Sequence, residues 1–328
     1  MTILITGVAG LLGAHLHRHF LKKGHKVIGI DDLSGGYREF LSNDENFISY
    51  EIQIGKTSIS NIFERHKPDV VYHLAAFAAE GLSPFIRCFN YQNNVIASAA
   101  VINECIKHNC KLIFTSSMGA YGDQKPPFTE DMDLKPADPY GTAKFAVEMD
   151  IKQAHDLFGL RYNIVRPHNV LGVYQNIWDK YRNVIGIFIR QVLNKQPITI
   201  FGDGEQTRAF SDVEFYMEPF EQLLDGFDGE VFNIGADKYW SINEVAEMVK
   251  KVALKHGYES SIVHLETRDE VKHAYCDHTK AKTLLNFNDQ TCLESLIDKM
   301  FSWAKNEPNR EVKKLQYEVE KNIYSYWK

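Results

Sequence analysis

The chain has 328 residues, of which 44% are hydrophobic and 24% charged, the balance of a chain that folds around a core rather than one that stays disordered. At about 150 residues per domain, that length allows two domains or one large one. Its 37 Lys and Arg against 43 Asp and Glu give a net charge of −6, with no dense basic run, which argues against a nucleic-acid or anionic-membrane surface and for small-molecule partners. The cysteines Cys88, Cys105, Cys110, Cys276 and Cys292 lack C-x-x-C spacing, so neither a disulfide framework nor a structural metal site is expected, and a reducing cytoplasmic setting is. An apolar run, Thr2-Ile3-Leu4-Ile5, begins at the second residue and leaves no room for a signal peptide ahead of it. No stretch approaches the roughly 18 uncharged apolar residues of a membrane span.

Short apolar runs predict strands at Thr2–Thr6, Lys26–Ile30, Phe47–Ile52, Val70–Leu74, Lys111–Thr115 and Tyr162–Arg166, each followed by a helical period such as Leu12, Leu16 and Phe20. Strands apolar on both faces, alternating with helices, predict a doubly wound α/β fold: a parallel sheet covered on each side. After about Asn169 the rhythm loosens into short strands (Thr199–Phe201, Val231–Ile234, Ile262–Leu265) and helices. The division expected is a dinucleotide-binding domain over 1–169 and a smaller mixed α/β substrate lobe over 170–328, with some strands of the second returning to the first. No Pro- or Gly-rich linker separates them, so a shared interface is expected. The stretch Pro308 to Lys328 reads as a charged helical tail.

Directly after the first strand comes Gly7-Val8-Ala9-Gly10-Leu11-Leu12-Gly13, opening a helix. Glycines there keep the turn tight, let backbone N–H groups approach a pyrophosphate and let the helix pack on the sheet. Read alone, the segment is also an ordinary strand-to-helix turn. The second strand ends at Asp31, 18 residues past Gly13, near the spacing at which a carboxylate accepts from an adenosine ribose and repels a 2′-phosphate. The cofactor reading is therefore NAD rather than NADP; the other reading of Asp31, with Asp32, is a turn former.

Tyr140-Gly141-Thr142-Ala143-Lys144 sits at the start of a predicted helix after the breaker Pro139, so phenol and ammonium share a helix face at i, i+4. An ammonium beside the ring, together with a positive nicotinamide, would draw the phenol from about 10 toward neutrality and make Tyr140 a general base. Ser117 lies 23 residues upstream at the end of the fifth strand, where its hydroxyl could share a substrate proton with the phenol. A Ser-rich strand end and a helix with a surface lysine is the bland alternative.

Gly7-x-x-Gly10-x-x-Gly13, Asp31, His73-Leu74-Ala75-Ala76, Ser117, Tyr140-x-x-x-Lys144 and Arg166-Pro167-His168-Asn169, taken in this order, resemble the extended short-chain dehydrogenase/reductases, in particular nucleotide-sugar epimerases of the UDP-glucose 4-epimerase type. The resemblance runs from Ile3 to about Leu285 and implies a Rossmann-type fold. It implies a cofactor site lined by Leu11, Leu12, Asp32, Leu33 and Gln53 beside the glycine turn and Asp31. Leu74, Ala75, Ala76, Asn93, Thr115 and His168 would complete that site with Tyr140 and Lys144. It further implies that Asn169, Asn183, Thr199, Phe201, Arg208 and Arg268 hold the UDP half of a sugar nucleotide, Ser117 its hexose, and that Ala274 faces the sugar 2-position, leaving room for an N-acetyl group. Bidentate arginine donors suit a diphosphate, although either arginine alone reads as a surface ion pair.

The family often carries Asp after its third strand for the adenine amino group, where this chain has Glu51-Ile52-Gln53. Relatives that remove water from the sugar carry Asp-Glu where this chain has Met118-Gly119 after Ser117, which counts against a dehydratase. The activity expected is NAD-dependent inversion of carbon 4 of a UDP-hexose, plain or N-acetylated, through a 4-keto sugar. Tyr140 would take the 4-hydroxyl proton, Ser117 orient the hydroxyl, and Lys144 tune the phenol. Epimerisation of another nucleotide sugar such as a UDP-uronic acid is the alternative, ahead of dehydration or a non-catalytic NAD sensor. A homodimer is expected through the helix spanning Asn94 to Lys107 and the one beginning near Tyr140, whose apolar positions (Val95, Ala99, Ile102, Ile106; Phe145, Val147, Ile151) exceed one core-facing stripe. His15, His17 and His19 read as a solvated helix face rather than a metal site, and the aromatic segment Phe85–Tyr91 as core or lobe-interface packing.

Overall fold

Alternation along the first strand decides the architecture. Ile3 and Ile5 point to one face of the sheet and Leu4 to the other, and all three are fully buried, so both faces must be covered. The structure, a computed structural model, describes residues 1–268, 270–310 and 315–327. In chain order its first half runs β1 (Thr2–Thr6), α1 (Leu11–Lys22), β2 (Lys26–Asp31), β3 (Phe47–Glu51), α2 (Ser60–His66), β4 (Val70–His73), α3 (Arg87–Tyr91), α4 (Ala97–His108), β5 (Lys111–Thr115), α5 (Pro139–Phe158) and β6 (Tyr162–Pro167). There follow β7 (Val170–Leu171), α6 (Val184–Leu193), β8 (Ile198–Phe201), β9 (Thr207–Ala209), β10 (Ser211–Asp212), α7 (Met217–Gln222) and β11 (Val231–Ile234). The chain continues through β12 (Tyr239–Ser241), α8 (Ile242–Lys255), β13 (Ile262–Leu265), β14 (His273–Ala274), α9 (Thr279–Leu284) and α10 (Leu293–Ala304).

Seven strands form one parallel sheet in the order β11-β6-β5-β4-β1-β2-β3. This is the doubly wound Rossmann-type arrangement, in which ligands gather at the carboxyl ends of the strands. One face packs Ile3, Ile5 and Tyr72 against Leu16 and Phe20 of α1 and Phe220 of α7. The other packs Leu4, Ile28, Val71 and Leu112 against Val101 of α4 and Val147 and Ile151 of α5. Although β11 lies late in the chain, its Val231–Ile234 pair with Ile164–Pro167 of β6 and close the sheet. The smaller lobe carries short pairs, β12-β9-β14 and β13-β8, around a core of α6, α8 and α10. No described helix is long and apolar enough to cross a membrane.

Three readings are corrected. The predicted helix over Asn94 to Lys107 begins earlier, at Arg87, and passes through a π-helical turn at Gln92–Ile96 before α4. The tail is not helical over the described residues 315–327 except for one short turn, Ser325–Trp327, because its aromatic side chains are spent on anchoring to the body; Glu311–Lys314 and Lys328 lie outside the described residues. The α1 histidines do not form a solvated face. His17 is fully buried, donates to the Gly13 carbonyl (2.7 Å), accepts from the Ser42 N–H (3.2 Å) and stacks on Phe47. His15 bonds the Val173 carbonyl and His19 the Glu221 carboxylate.

Candidate active site

The glycine turn is shaped by close approaches that a side chain would prevent. Gly7 has φ +71°, and a Cβ there would sit 2.8 Å from the Ala75 backbone; one on Gly13 would sit 2.3 Å from the Gly7 carbonyl oxygen. Gly10 is the N-cap of α1 and offers no side-chain cap, and the first turn holds no acidic residue. The N–H groups of Leu11, Leu12 and Gly13 are thus left facing the carboxyl edge of the sheet, where the helix dipole favours an anion.

Asp31, at the end of β2, accepts from the N–H groups of Ala9 (2.9 Å) and Leu33 (2.8 Å), tying the turn to the strand and leaving one further lone pair on each oxygen. Burial raises its carboxyl above the usual range. Asp32 accepts from the Ser34 N–H (2.9 Å), and Leu33 takes φ 54°. Beside them Asp32, Gln53, Phe77 and Phe89 line a cavity of about 260 Å3, with Gln53 reaching Asn93 at 3.4 Å. Leu74, Ala75 and Ala76 leave the end of β4 half-buried, with Leu74 and Ala75 bonded to the Thr6 carbonyl and hydroxyl. A glycine-lined approach, an uncapped helix terminus and an adjoining carboxylate fit a dinucleotide.

A separate cleft of about 1040 Å3 is lined by residues from both halves of the chain. The N-terminus of α5 delivers the phenol to one end of it. Asp138 caps the helix by accepting from the N–H groups of Tyr140 (2.8 Å) and Gly141 (3.0 Å), and Pro139 takes the first helical position. A Cβ on Gly141 would sit 2.5 Å from the Gly119 carbonyl oxygen, so α5 presses against the chain that follows β5 and brings Ser117 to Tyr140. The Ser117 oxygen accepts from the Gly119 N–H (3.1 Å). Lys144 is 3% exposed, donates to the Thr115 carbonyl (2.7 Å) and lies 5.9 Å from the centre of the Tyr140 ring. Farther along α5, the fully buried Glu148 receives Arg166 of β6 through two bonds of 3.0 and 2.7 Å, clamping helix to sheet.

The electrostatics differ from the expectation for the chain alone. Burial pushes the Tyr140 phenol above its ordinary 10; Ser117 opposes the rise, and the Glu80 and Asp138 carboxylates add to it. Burial likewise lowers Lys144 to about 7, with Glu148 opposing. The ammonium is aimed at a backbone carbonyl rather than at the phenol oxygen, so these two residues do not by themselves draw the phenol toward neutrality.

The same cleft is lined by Asn169, Asn183, Thr199, Phe201, Arg208 and Arg268. Asn169 and Asn183 adopt positive φ, and Asn169 donates to the Ala209 carbonyl (2.9 Å). Thr199 receives the Gln191 amide (2.7 Å). Arg208 and Arg268 converge on one Glu270 oxygen, at 3.3 and 2.8 Å, and Arg268 lies 4.9 Å over the Phe201 ring. The buried Nε of Arg268 has no partner among the described residues, a donor that a diphosphate would satisfy.

Two expected contacts fall elsewhere. His168 is fully buried behind the cleft, against His278 and Gly235, with neither ring nitrogen hydrogen-bonded among the described residues. Ala274 is 4% exposed and packs with Tyr121, Phe128 and Cys276, while Val271 is the residue of that loop that lines the cleft. The β14–β9 register, Ala274 opposite Arg208, turns its methyl group into that apolar cluster. Sequence reasoning also passed over Glu80, Asp138 and Arg182, all lining the cleft. Asp138 was findable as the residue before a helix-starting proline; Glu80 and Arg182 lie in irregular segments with no periodic signal. Glu80 is exposed on the cleft, where the protein around it and the Asp138 carboxylate raise its carboxyl above the ordinary range and Arg208 opposes the rise.

Residues 3–235 match the model of the NAD dependent epimerase/dehydratase family. A UDP-glucuronate 4-epimerase of Thermodesulfobacterium geofontis is 30% identical over 318 residues, 92% of this chain and 95% of that protein. Among solved structures, a UDP-glucose 4-epimerase of Thermotoga maritima with UDP-glucose superposes with a TM-score of 0.86 at 32% identity, covering 93% of this chain and 98% of that one. A UDP-N-acetylglucosamine 4-epimerase of Methanobrevibacter ruminantium gives 0.84 at 29%, covering 92% and 97%. With the glycine turn, the Tyr140/Lys144 pair and the seven-stranded parallel sheet in place, the chain belongs to the NAD-dependent epimerase/dehydratase family.

Proposed function

We propose that this protein inverts carbon 4 of a UDP-hexose, plain or N-acetylated, using NAD. The observation that carries the reading is the cleft itself: one cavity is lined both by Ser117 and Tyr140 and by Arg208, Arg268, Thr199 and Phe201, as a hexose joined to a nucleoside diphosphate requires. The glycine turn, Asp31 and Leu74–Ala76 would hold the dinucleotide, with Tyr140 and Lys144 at its reactive end. When bound, the oxidised cofactor supplies a reversible two-electron acceptor and a positive charge that favours the phenolate.

Tyr140 takes the proton of the 4-hydroxyl and returns it after the ring has turned. Ser117 orients that hydroxyl, and Lys144, fixed on the Thr115 carbonyl, stands behind the phenol. Arg208 and Arg268 anchor the diphosphate while the 4-keto sugar rotates about its linkage.

The assembly proposed is a homodimer in the cytoplasm. Ile102, Val147 and Ile151 are consumed by the protomer's own core, but Ile96 (50% exposed) and Met149 (43%) remain on the outer faces of the paired helices, with Val95 and Phe145 half-buried beside them. Incubation with UDP-glucose, UDP-N-acetylglucosamine and UDP-glucuronate, followed by chromatography, tests the reaction. Tyr140→Phe is expected to lower turnover by about 10²–10⁴-fold with NAD still bound. Turnover within a few-fold of wild type would remove Tyr140 from the mechanism.

A further inference from the structure

Described residues beyond α10 line both cavities. Arg310 lies 4.3 Å over Tyr37 and 5.2 Å over Trp178. Leu315 lines the smaller cavity, next to the candidate adenosine end of the dinucleotide site. Glu318 then accepts from the N–H groups of Cys88 (2.7 Å) and Phe89 (2.8 Å), binding the segment to α3. The Ser325 N–H and hydroxyl both donate to one Glu266 oxygen at 2.7 Å. Trp327, 3% exposed, is wedged between Phe85, Tyr181 and Phe201.

This anchoring places tail side chains in the substrate cleft. Asn322, Tyr324 and Tyr326 line it together with Thr199 and Phe201. Tyr324 and Tyr326 lie 6.1 and 5.9 Å from the Phe201 ring. The Gln191 amide that donates to Thr199 (2.7 Å) also donates to the Tyr326 hydroxyl (3.1 Å), so tail and pocket floor share one hydrogen-bond network. Tyr326 keeps 40% of its surface exposed although its neighbour Trp327 is buried.

We propose that the segment 315–327 is a wall of the nucleotide end of the cleft, and that Tyr324 and Tyr326, with Phe201, form the aromatic face against which the base of the nucleotide sugar packs. This rests on the reading that Thr199, Phe201, Arg208 and Arg268 hold the nucleotide. Base–aromatic contacts tolerate any base, so the segment contributes affinity, and the selection of uracil is left to polar groups deeper in the pocket.

The probe is uridine diphosphate, titrated calorimetrically into wild type, Tyr326→Ala and Glu318→Ala, each with its NAD content measured. Tyr326, being exposed, can be truncated without opening the core, and Glu318→Ala releases the segment from α3 without touching the cleft. Both are expected to weaken uridine diphosphate at least about fivefold and to raise KM for the UDP-sugar, with NAD content unchanged in Tyr326→Ala. Unchanged affinity in both variants would overturn the assignment. So would tighter binding, which would make the segment a competitor of the nucleotide. A wild-type protein that binds no uridine diphosphate would instead fail the substrate reading beneath it.

Discussion

Replacing Arg166 with Met isolates the contact that holds the catalytic helix to the sheet. Arg166 is 2% exposed and Glu148 0%, and two bonds of 3.0 and 2.7 Å join them, with a third from Arg166 to the Tyr121 hydroxyl at 2.7 Å. Removing one partner of so buried a pair leaves the other charge without compensation in a dry interior, which costs about 3–5 kcal/mol. Arg166→Met is therefore expected to lower unfolding free energy by about that amount, read from urea titrations as a drop in midpoint at constant slope. Glu148 is one helical turn from Lys144 and opposes its fall toward 7, so the same variant also leaves Lys144 more firmly protonated. Adding Glu148→Leu removes the stranded carboxylate, and the double variant is expected to recover most of the loss, because hydrophobic replacement of a buried pair is often nearly neutral. A loss under about 1 kcal/mol in the single variant, or no recovery in the double, would refute the claim that this pair is desolvated and clamps α5.

Ala274→Tyr would force a phenol into the cluster of Tyr121, Phe128 and Cys276; a loss of about 1–3 kcal/mol and a lower melting temperature are expected, with the preference between plain and N-acetylated sugars unmoved. A changed preference in a fully stable variant would restore Ala274 as a gate. Burial holds His17 down at about 4 against an ordinary 6.5, so its neutral form contributes stability that is complete above pH 6.5 and is lost as pH falls from there toward 4. His17→Leu should flatten the stability profile in that window by up to about 1.4 kcal/mol per pH unit, measured by denaturation at stepped pH; an unaltered slope would mean that His17 already titrates normally. NADP should bind cofactor-free protein at least about tenfold more weakly than NAD in calorimetry, since its 2′-phosphate would face Asp31; equal affinities would contradict the ribose role.

The elements of the first half were legible because their signals are local. Buried strands such as Val70–His73 and Lys111–Thr115 are built on short apolar runs, and Pro139 after Asp138 marks the start of α5. The spacing from Gly13 to Asp31 and from Tyr140 to Lys144 carries chemistry that follows from strand and helix geometry alone. Tertiary packing decided the rest, because it depends on which residues far apart in sequence meet. Whether Ala274 faced sugar or core turned on the β14–β9 register, which an isolated two-residue strand cannot announce. His17 of α1 carries a polar ring at a buried position, and only the carbonyl of Gly13, the N–H of Ser42 and the ring of Phe47 make it acceptable there. Whether the phenol is acidified depends on water exclusion and on where the Lys144 ammonium points, neither of which spacing encodes. The tail shows the limit most clearly: its charges suggested a charged helix, but Phe85, Phe201 and Tyr181 supply the apolar partners that hold its described residues against the body.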